Sequence, residues 1–316
     1  MKRQSVLWLT MSVFTAAAAC QAPAPRVQDH AQSPHQRTTA PDTGTIRLVF
    51  RNNMLLAPVH INGQYAGFFL IDTGSAVAAV DPTVAQQLRL SPVRRGTVTG
   101  IGGRTAVEYV RLDDLKVAGL TVGPSIAAVL DLEQFSRAAH YSIKGIIGFN
   151  SLASRPFTLD YRARTLTVHD AANFHPPLDA HATRLELRQR VPAVQAQVTD
   201  EDPIWIQIDT GANSWLSLPI AYVQDRPAIL AGVYNPQASS RGVAGQITDV
   251  RSTLGTITLF GLELHKVPVT IEMAPRRQPD AATRFGRMGN RLLKSFTLTF
   301  DYPHRTLWTR FHPTEE

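Results

Sequence analysis

Apolar residues in this chain come in short, often β-branched runs stopped by Gly, Pro, Asn or Asp, as in Ile46 to Phe50, Ala57 to Ile61, Thr165 to Val168, Ala193 to Val198, Leu254 to Phe260 and Phe296 to Phe300. Runs of this length and type fit pleated strands joined by turns. The pattern therefore predicts an all-β (mainly β) protein. Helical turns are expected in only a few places, chiefly from Pro82 to Leu90, where Pro opens a segment of good helix formers, and near Leu292 to Lys294. The Pro-containing stretch from Asp170 to Ala182 lacks periodicity and predicts a connection between larger units.

The pattern also repeats. Phe68-Phe69-Leu70-Ile71-Asp72-Thr73-Gly74 is answered by Ile204-Trp205-Ile206-Gln207-Ile208-Asp209-Thr210-Gly211, at an offset of 137 residues (209 − 72). Gly119 with its flanking apolar residues is answered by Gly261 (offset 142), Gly145-Ile146-Ile147-Gly148 by Gly286-Arg287-Met288-Gly289 (offset 141), and Asp160-Tyr161 by Asp301-Tyr302 (offset 141). Four landmarks in one order and nearly one register indicate two duplicated lobes. The expected organisation is 45–172 for the first lobe, 173–184 for the linker and 185–316 for the second.

One Asp-Thr-Gly is weak information, because a tight turn after a strand uses the same residues. Two copies, each ending an apolar strand at the matching point of a duplicated half, point to chemistry. Hydrolysing an amide with water and no metal needs one group to take a proton from water and another to donate one to the carbonyl oxygen. Two carboxyls held close share one proton and supply both. Asp72 and Asp209 are the candidate pair, one from each half, with an extended polypeptide as the expected substrate in a cleft between the lobes. Thr73 and Thr210 can bond across to the opposite half, and Gly74 and Gly211 let backbone approach the carboxyls.

The N-terminus adds a location. Met1-Lys2-Arg3 precedes an apolar stretch from Val6 to Ala19 that is too short to span a bilayer and reads as an export signal, residues 1–19. Ala16 to Ala19 ends in Cys20, the single cysteine of the chain, and this resembles the bacterial lipobox, in which that cysteine carries the lipid. Residues 20–44 are rich in Gln, Ala, Pro, Thr and Ser and read as a flexible leash. Gln21 after the cysteine suggests, by resemblance to sorted lipoproteins, an outer-membrane anchor facing the periplasm. The formal charge of +7 falls to +5 when Lys2 and Arg3 leave, and no basic run interleaves with aromatics, so nucleic acid is not an expected partner. The His residues are scattered and the one Cys is committed, so neither metal nor cofactor is expected. The protein is expected to work as a monomer.

From about Ile46 to Pro313 the chain resembles the aspartic peptidases, meaning pepsins, retroviral proteases and above all their bacterial retropepsin-like relatives. The resemblance rests on Ile71-Asp72-Thr73-Gly74-Ser75 and Ile208-Asp209-Thr210-Gly211-Ala212 as catalytic loops and on Gly145-Ile146-Ile147-Gly148 as the apolar pair and glycine behind one of them. It implies a bilobal fold with the cleft between the lobes. Gly100-Ile101-Gly102-Gly103 is similar to the tip of the flap that closes over substrate, with Gly242-Val243-Ala244-Gly245 as a less distinctive second copy. The resemblance also implies that Ser75 donates to the outer oxygen of Asp72 while Ala212 cannot serve Asp209, so that the shared proton rests more on Asp209.

Three features stand apart from the pattern. Arg287 falls where an apolar residue is expected, and if buried it must be paired or solvated. Tyr109, past the flap tip, reads as a packed strand tyrosine, and Trp205 and Trp215 as core or cleft-wall aromatics. The functional expectation is an aspartic endopeptidase of the cell envelope; the alternative is a catalytically silent peptide-binding lipoprotein, which Arg287 keeps open.

Overall fold

The computed structural model describes residues 44–100, 103–199, 201–231, 235–242, 245–273 and 285–313, together with the two-residue strand Met11–Ser12. Cys20 and Gln21 lie outside the described residues. The described chain is mainly β, arranged in three sheets.

The short apolar runs become strands for the expected reason. Met54–Ile61 and Gln64–Ile71 pair antiparallel across Asn62-Gly63, both at positive φ (51° and 77°), which matches the right-handed twist of the flanking strands. The run from Ile46 to Phe50 divides at buried Leu48 into Gly44–Arg47 and Val49–Arg51, which join different sheets. Pro82–Gln87 is helical, its first turn capped by Asp81 accepting from the Thr83 N–H at 3.0 Å. Asn290–Leu293 forms the second expected turn. The helix Glu133–Ala139, ended by His140 in the left-handed region, was not foreseen from the sequence pattern. The connection is shorter than expected, because His181–Arg184 is already a strand.

In the first half the strands run in the order Pro92–Gly100, Gly103–Leu112, Ser125–Val129, Ala78–Val80, Gly145–Ile147, Gln64–Ile71, Met54–Ile61 and Leu115–Val117. In the second half the order is Glu186–Arg188, Val191–Val198, Ile204–Ile208, Phe285–Met288, Leu216–Pro219, Leu262–Glu272, Gly245–Leu259 and Asn235–Gly242. In both, the strand entering Asp-Thr-Gly pairs parallel with the strand leading to the later Gly: Ile71 opposite Ile147, and Ile208 opposite Met288.

The third sheet is built by both halves. Its order is His181–Arg184, Thr306–Phe311, Phe296–Asp301, Phe157–Asp160, Thr165–Val168 and Gly44–Arg47, three strands from each half. At its centre Thr158 is register partner to Thr299, its own duplicate at an offset of 141 (299 − 158), with the hydroxyls 2.8 Å apart. A residue meeting its duplicate marks a pseudo-twofold axis. Phe157 stacks on Phe300 beside it, ring centroids 4.9 Å apart, and one apolar core continues from lobe to lobe through this sheet.

Candidate active site

Asp72 and Asp209 both follow a buried strand and are themselves buried, 1% and 0% exposed. Each is held by backbone in the same way. The Asp72 N–H donates to Ile147 O at 3.0 Å and the Asp209 N–H to Met288 O at 2.9 Å. Behind each loop the later glycine lets the chain pass. A methyl at Gly148 would lie 2.9 Å from Ser75 O, and one at Gly289 would lie 2.7 Å from Ala212 O.

The loops interlock across the axis. The Thr73 N–H donates to Thr210 Oγ1 (3.0 Å) and the Thr210 N–H to Thr73 Oγ1 (3.2 Å), while the Thr73 hydroxyl donates to Ile208 O (2.7 Å) and the Thr210 hydroxyl to Ile71 O (2.8 Å). A methyl on Gly74 would sit 2.4 Å from Cγ of Asp209, and one on Gly211 would sit 2.4 Å from Cγ of Asp72. Each glycine is therefore the surface on which the opposite carboxyl rests, and only Gly fits there. Asn290 braces the second loop, donating to Thr210 O and accepting from the Tyr161 hydroxyl, both at 2.6 Å.

Burial governs the charge state. It raises Asp72 to about 7, against the opposing pull of neighbouring Asp209, of the nearby Gly74 and Ser75 N–H groups and of Arg287. Burial raises Asp209 well above the ordinary carboxyl range, the Asp72 charge raises it too, and Arg287 and the Gly211 N–H pull it back. Two such carboxyls titrate as one unit and retain a proton between them far above the pH at which a free carboxyl loses it. Tyr161 and Tyr302 are raised well above their ordinary value by burial and then by Asp209 and Asp72 respectively, so neutral phenols lie beside the pair.

The hydroxyl asymmetry expected of Ser75 is absent. Its hydroxyl donates to Val77 O at 2.7 Å, so it does not serve Asp72. The turn after Gly74 offers the Val77 carbonyl two residues on, and a short serine takes the local acceptor.

What distinguishes the lobes is the lining beside each Asp. In the first lobe Leu70, Ile146 and Ala79 share one sheet face and pack with Val98, Val107, Tyr109 and Leu130. The matching positions of the second lobe are Gln207, Arg287 and Ser217, all buried. Arg287, 2% exposed, places Nε 3.7 Å from Asp209 Oδ2 and Nη1 3.1 Å from Glu272 Oε1, and Ser217 donates to the same Glu272 oxygen at 3.0 Å. Asp249 is register partner to Glu272, and burial, then the Glu272 charge, raises it to about 7. Arg287 is thus paired. Glu272 and Asp249 were not singled out from the sequence, although an offset of 142 aligns them with Leu130 and Val107.

The remaining candidates divide. Gly100 and Gly103 pair at the end of the hairpin Pro92–Gly100/Gly103–Leu112, whose Val98, Val107 and Tyr109 pack over the Asp72 wall; Ile101 and Gly102 lie outside the described residues, as do Val243 and Ala244. Tyr109 is a packed strand residue, its hydroxyl donating to Thr97 O at 3.2 Å. Trp205 is half-buried under the Arg188 guanidinium, 4.7 Å from its ring centroid, and Trp215, 36% exposed, is not a core residue.

Two duplicated β lobes, a sheet shared across their axis and an aspartate from each lobe at the junction define an aspartic-protease-like fold. The family model described as aspartyl protease matches residues 57–151, which include Asp72-Thr73-Gly74 and Gly148, and supports an aspartic peptidase family and a hydrolase. No curated protein matches the chain.

Proposed function

We propose that this protein is an aspartic endopeptidase that hydrolyses extended polypeptides of the bacterial cell envelope, using Asp72 and Asp209 as a proton-sharing pair. The observation that carries this reading is the reciprocal lock of Thr73 and Thr210, which seats each carboxyl on the other lobe's glycine. A turn needs no such reciprocity, and a binding cleft needs no second carboxyl.

The chemistry follows from one proton on two carboxyls. The charged carboxyl takes a proton from water as the water oxygen attacks the scissile carbonyl carbon, and the neutral one gives its proton to the carbonyl oxygen. The resulting tetrahedral diol collapses when the newly protonated carboxyl donates to the leaving nitrogen, the C–N bond breaks, and the other carboxyl recovers a proton from a diol hydroxyl. The pair ends as it began. Activity requires one proton on the pair, so its pH range is bounded below by the first ionisation of the coupled carboxyls and above by the second.

Asp72→Asn and Asp209→Asn, each assayed on an unstructured protein, test the reading. Each variant is expected to keep less than about a tenth of the wild-type rate, a loss above roughly 1.4 kcal/mol in transition-state stabilisation. A wild type that binds pepstatin-like inhibitors and cuts nothing would leave the silent peptide-binding lipoprotein as the better reading. For location, Cys20 is read as the lipid-bearing residue, so Cys20→Ser is expected to move the protein from the membrane fraction to the soluble one. Persistence in the membrane would exclude the tether.

A further inference from the structure

A cavity of about 440 Å³ opens beside the first catalytic loop, and its lining includes Val77, Ser125, Asn150 and three arginines, Arg94, Arg111 and Arg190. Its floor is tied to that loop. Asn150 accepts from the Ala78 N–H (2.8 Å) and donates to Ile126 O (2.7 Å), while the Phe149 N–H donates to Ser75 O (2.8 Å). Its basic side chains come from three places in the chain. Arg94 lies on the strand Pro92–Gly100, Arg111 on the returning strand Gly103–Leu112, and Arg190 on the turn before Val191–Val198 in the second half. The cavity therefore bridges the lobes on the Asp72 side.

Its charge is one-sided. Among the described residues no carboxylate lines it, and the carboxylate paired to one of its arginines, Asp113 on Arg111 at 2.5 Å, neutralises one of three guanidinium charges. Arg94, an exposed side chain, lays its guanidinium over the Tyr109 ring, with Cζ 3.6 Å from the ring centroid. A planar guanidinium held on an aromatic face presents its edge donors to a partner, and the partner that matches them in shape and charge is a carboxylate.

We infer that this cavity is a subsite for a carboxylate of the bound peptide, an acidic side chain a few residues from the scissile bond. The inference rests on the peptidase reading for its position in the substrate, and it adds a specificity that the pair of aspartates does not supply. The second lobe offers no matching arrangement among the described residues: at the position related to Val77, Ser214 is buried beside Asn213, which accepts from Asn53 (3.0 Å) and Arg291 (3.3 Å). An acidic residue is therefore preferred on one side of the cut.

The test is a peptide series scanned with Glu against Gln at each position around a cleaved bond, in forms ending in a carboxylate or an amide. It is read with the wild-type full chain and with Arg94→Gln/Arg190→Gln. A charge-assisted contact predicts about a tenfold higher kcat/KM for Glu at one position on one side, and a ratio near one in the double variant. A preference that follows the terminal carboxylate instead of Glu, or one that survives the double variant, overturns the assignment to an acidic side chain. Equal cleavage of every Glu and Gln peptide does the same while leaving the peptidase reading intact. Should no peptide be cut, that reading fails by itself, and binding decides this one: Asp209→Asn protein is expected to hold the Glu peptide about tenfold tighter than the Gln peptide only while Arg94 and Arg190 are present. Equal binding overturns it.

Discussion

Arg287 holds in the second lobe the register position that Ile146 holds in the first, and its Nε stands 3.7 Å from Oδ2 of Asp209. The duplicated halves therefore place the two aspartates in unlike surroundings, one beside an apolar wall and one beside a buried cation. The cation is itself held by Glu272. The surroundings of the pair differ by this charge, while the hydroxyl of Ser75 is spent on the backbone.

Removing Arg287 alone is expected to cost about 3–5 kcal/mol of stability, because Glu272 loses its buried partner. Arg287→Ile with Glu272→Leu, which copies Ile146 and Leu130 of the first lobe, is expected to recover most of that loss in urea denaturation. The double variant should also shift the pH profile of kcat/KM upward at both limbs, since Arg287 lowers both carboxyls. Limbs that stay in place would show that Arg287 does not act on the pair.

Folding should be favoured by mild acid. Asp72 and Asp249 are raised from 3.8 to about 7 and Asp209 well above its ordinary value, so the native state binds more protons than the unfolded chain between these limits. The stability linked to them is fully present below about pH 4 and is lost as the pH rises toward 7 and beyond. The melting temperature of wild type is expected to fall across this window. Asp249→Asn should flatten the fall, and a steepened one would contradict the burial argument.

Thr73→Val keeps the shape of the lock but removes two of its bonds. The Thr210 N–H loses its acceptor and Ile208 O its donor, both in buried surroundings. The expected cost is about 2–5 kcal/mol, with Thr210→Val costing a similar amount by symmetry. The pair of substitutions should be less than additive, because each removes part of one four-bond network. Strict additivity in a double-mutant cycle would mean that the lobes are not coupled through these threonines.

Gly74→Ala and Gly211→Ala each insert a methyl 2.4 Å from the opposite carboxyl carbon. Either is expected to abolish turnover, because the carboxyls must separate or tilt before the chain can close. A crystal structure or activity assay showing an undisturbed pair in either variant would refute the seating of one carboxyl on the other lobe's glycine.

The strands, the duplication and the repeated Asp-Thr-Gly were legible in the sequence because they are carried by local periodicity and by spacing. Run length and flanking Gly, Pro or Asn decide where a strand stops, and an offset of 137 to 142 residues survives any packing. The meeting of Thr73 with Thr210 could be expected on the same ground, since duplicated halves that join about an axis bring equivalent residues together.

Only the tertiary structure decided what burial and neighbouring charge do to those residues. Ser75 was free in sequence to serve Asp72 or its own turn, and the turn geometry chose. The partner that a buried Arg287 requires had no mark in the sequence, and the sheet order supplied it by setting Leu262–Glu272 two strands away and bringing Glu272 to it. Arg94, Arg111 and Arg190 are unremarkable surface charges in the sequence and become one cavity because a hairpin and a turn from different halves converge on it. Local pattern specifies elements, whereas pairing energies depend on which elements the fold makes adjacent, and that information is not local.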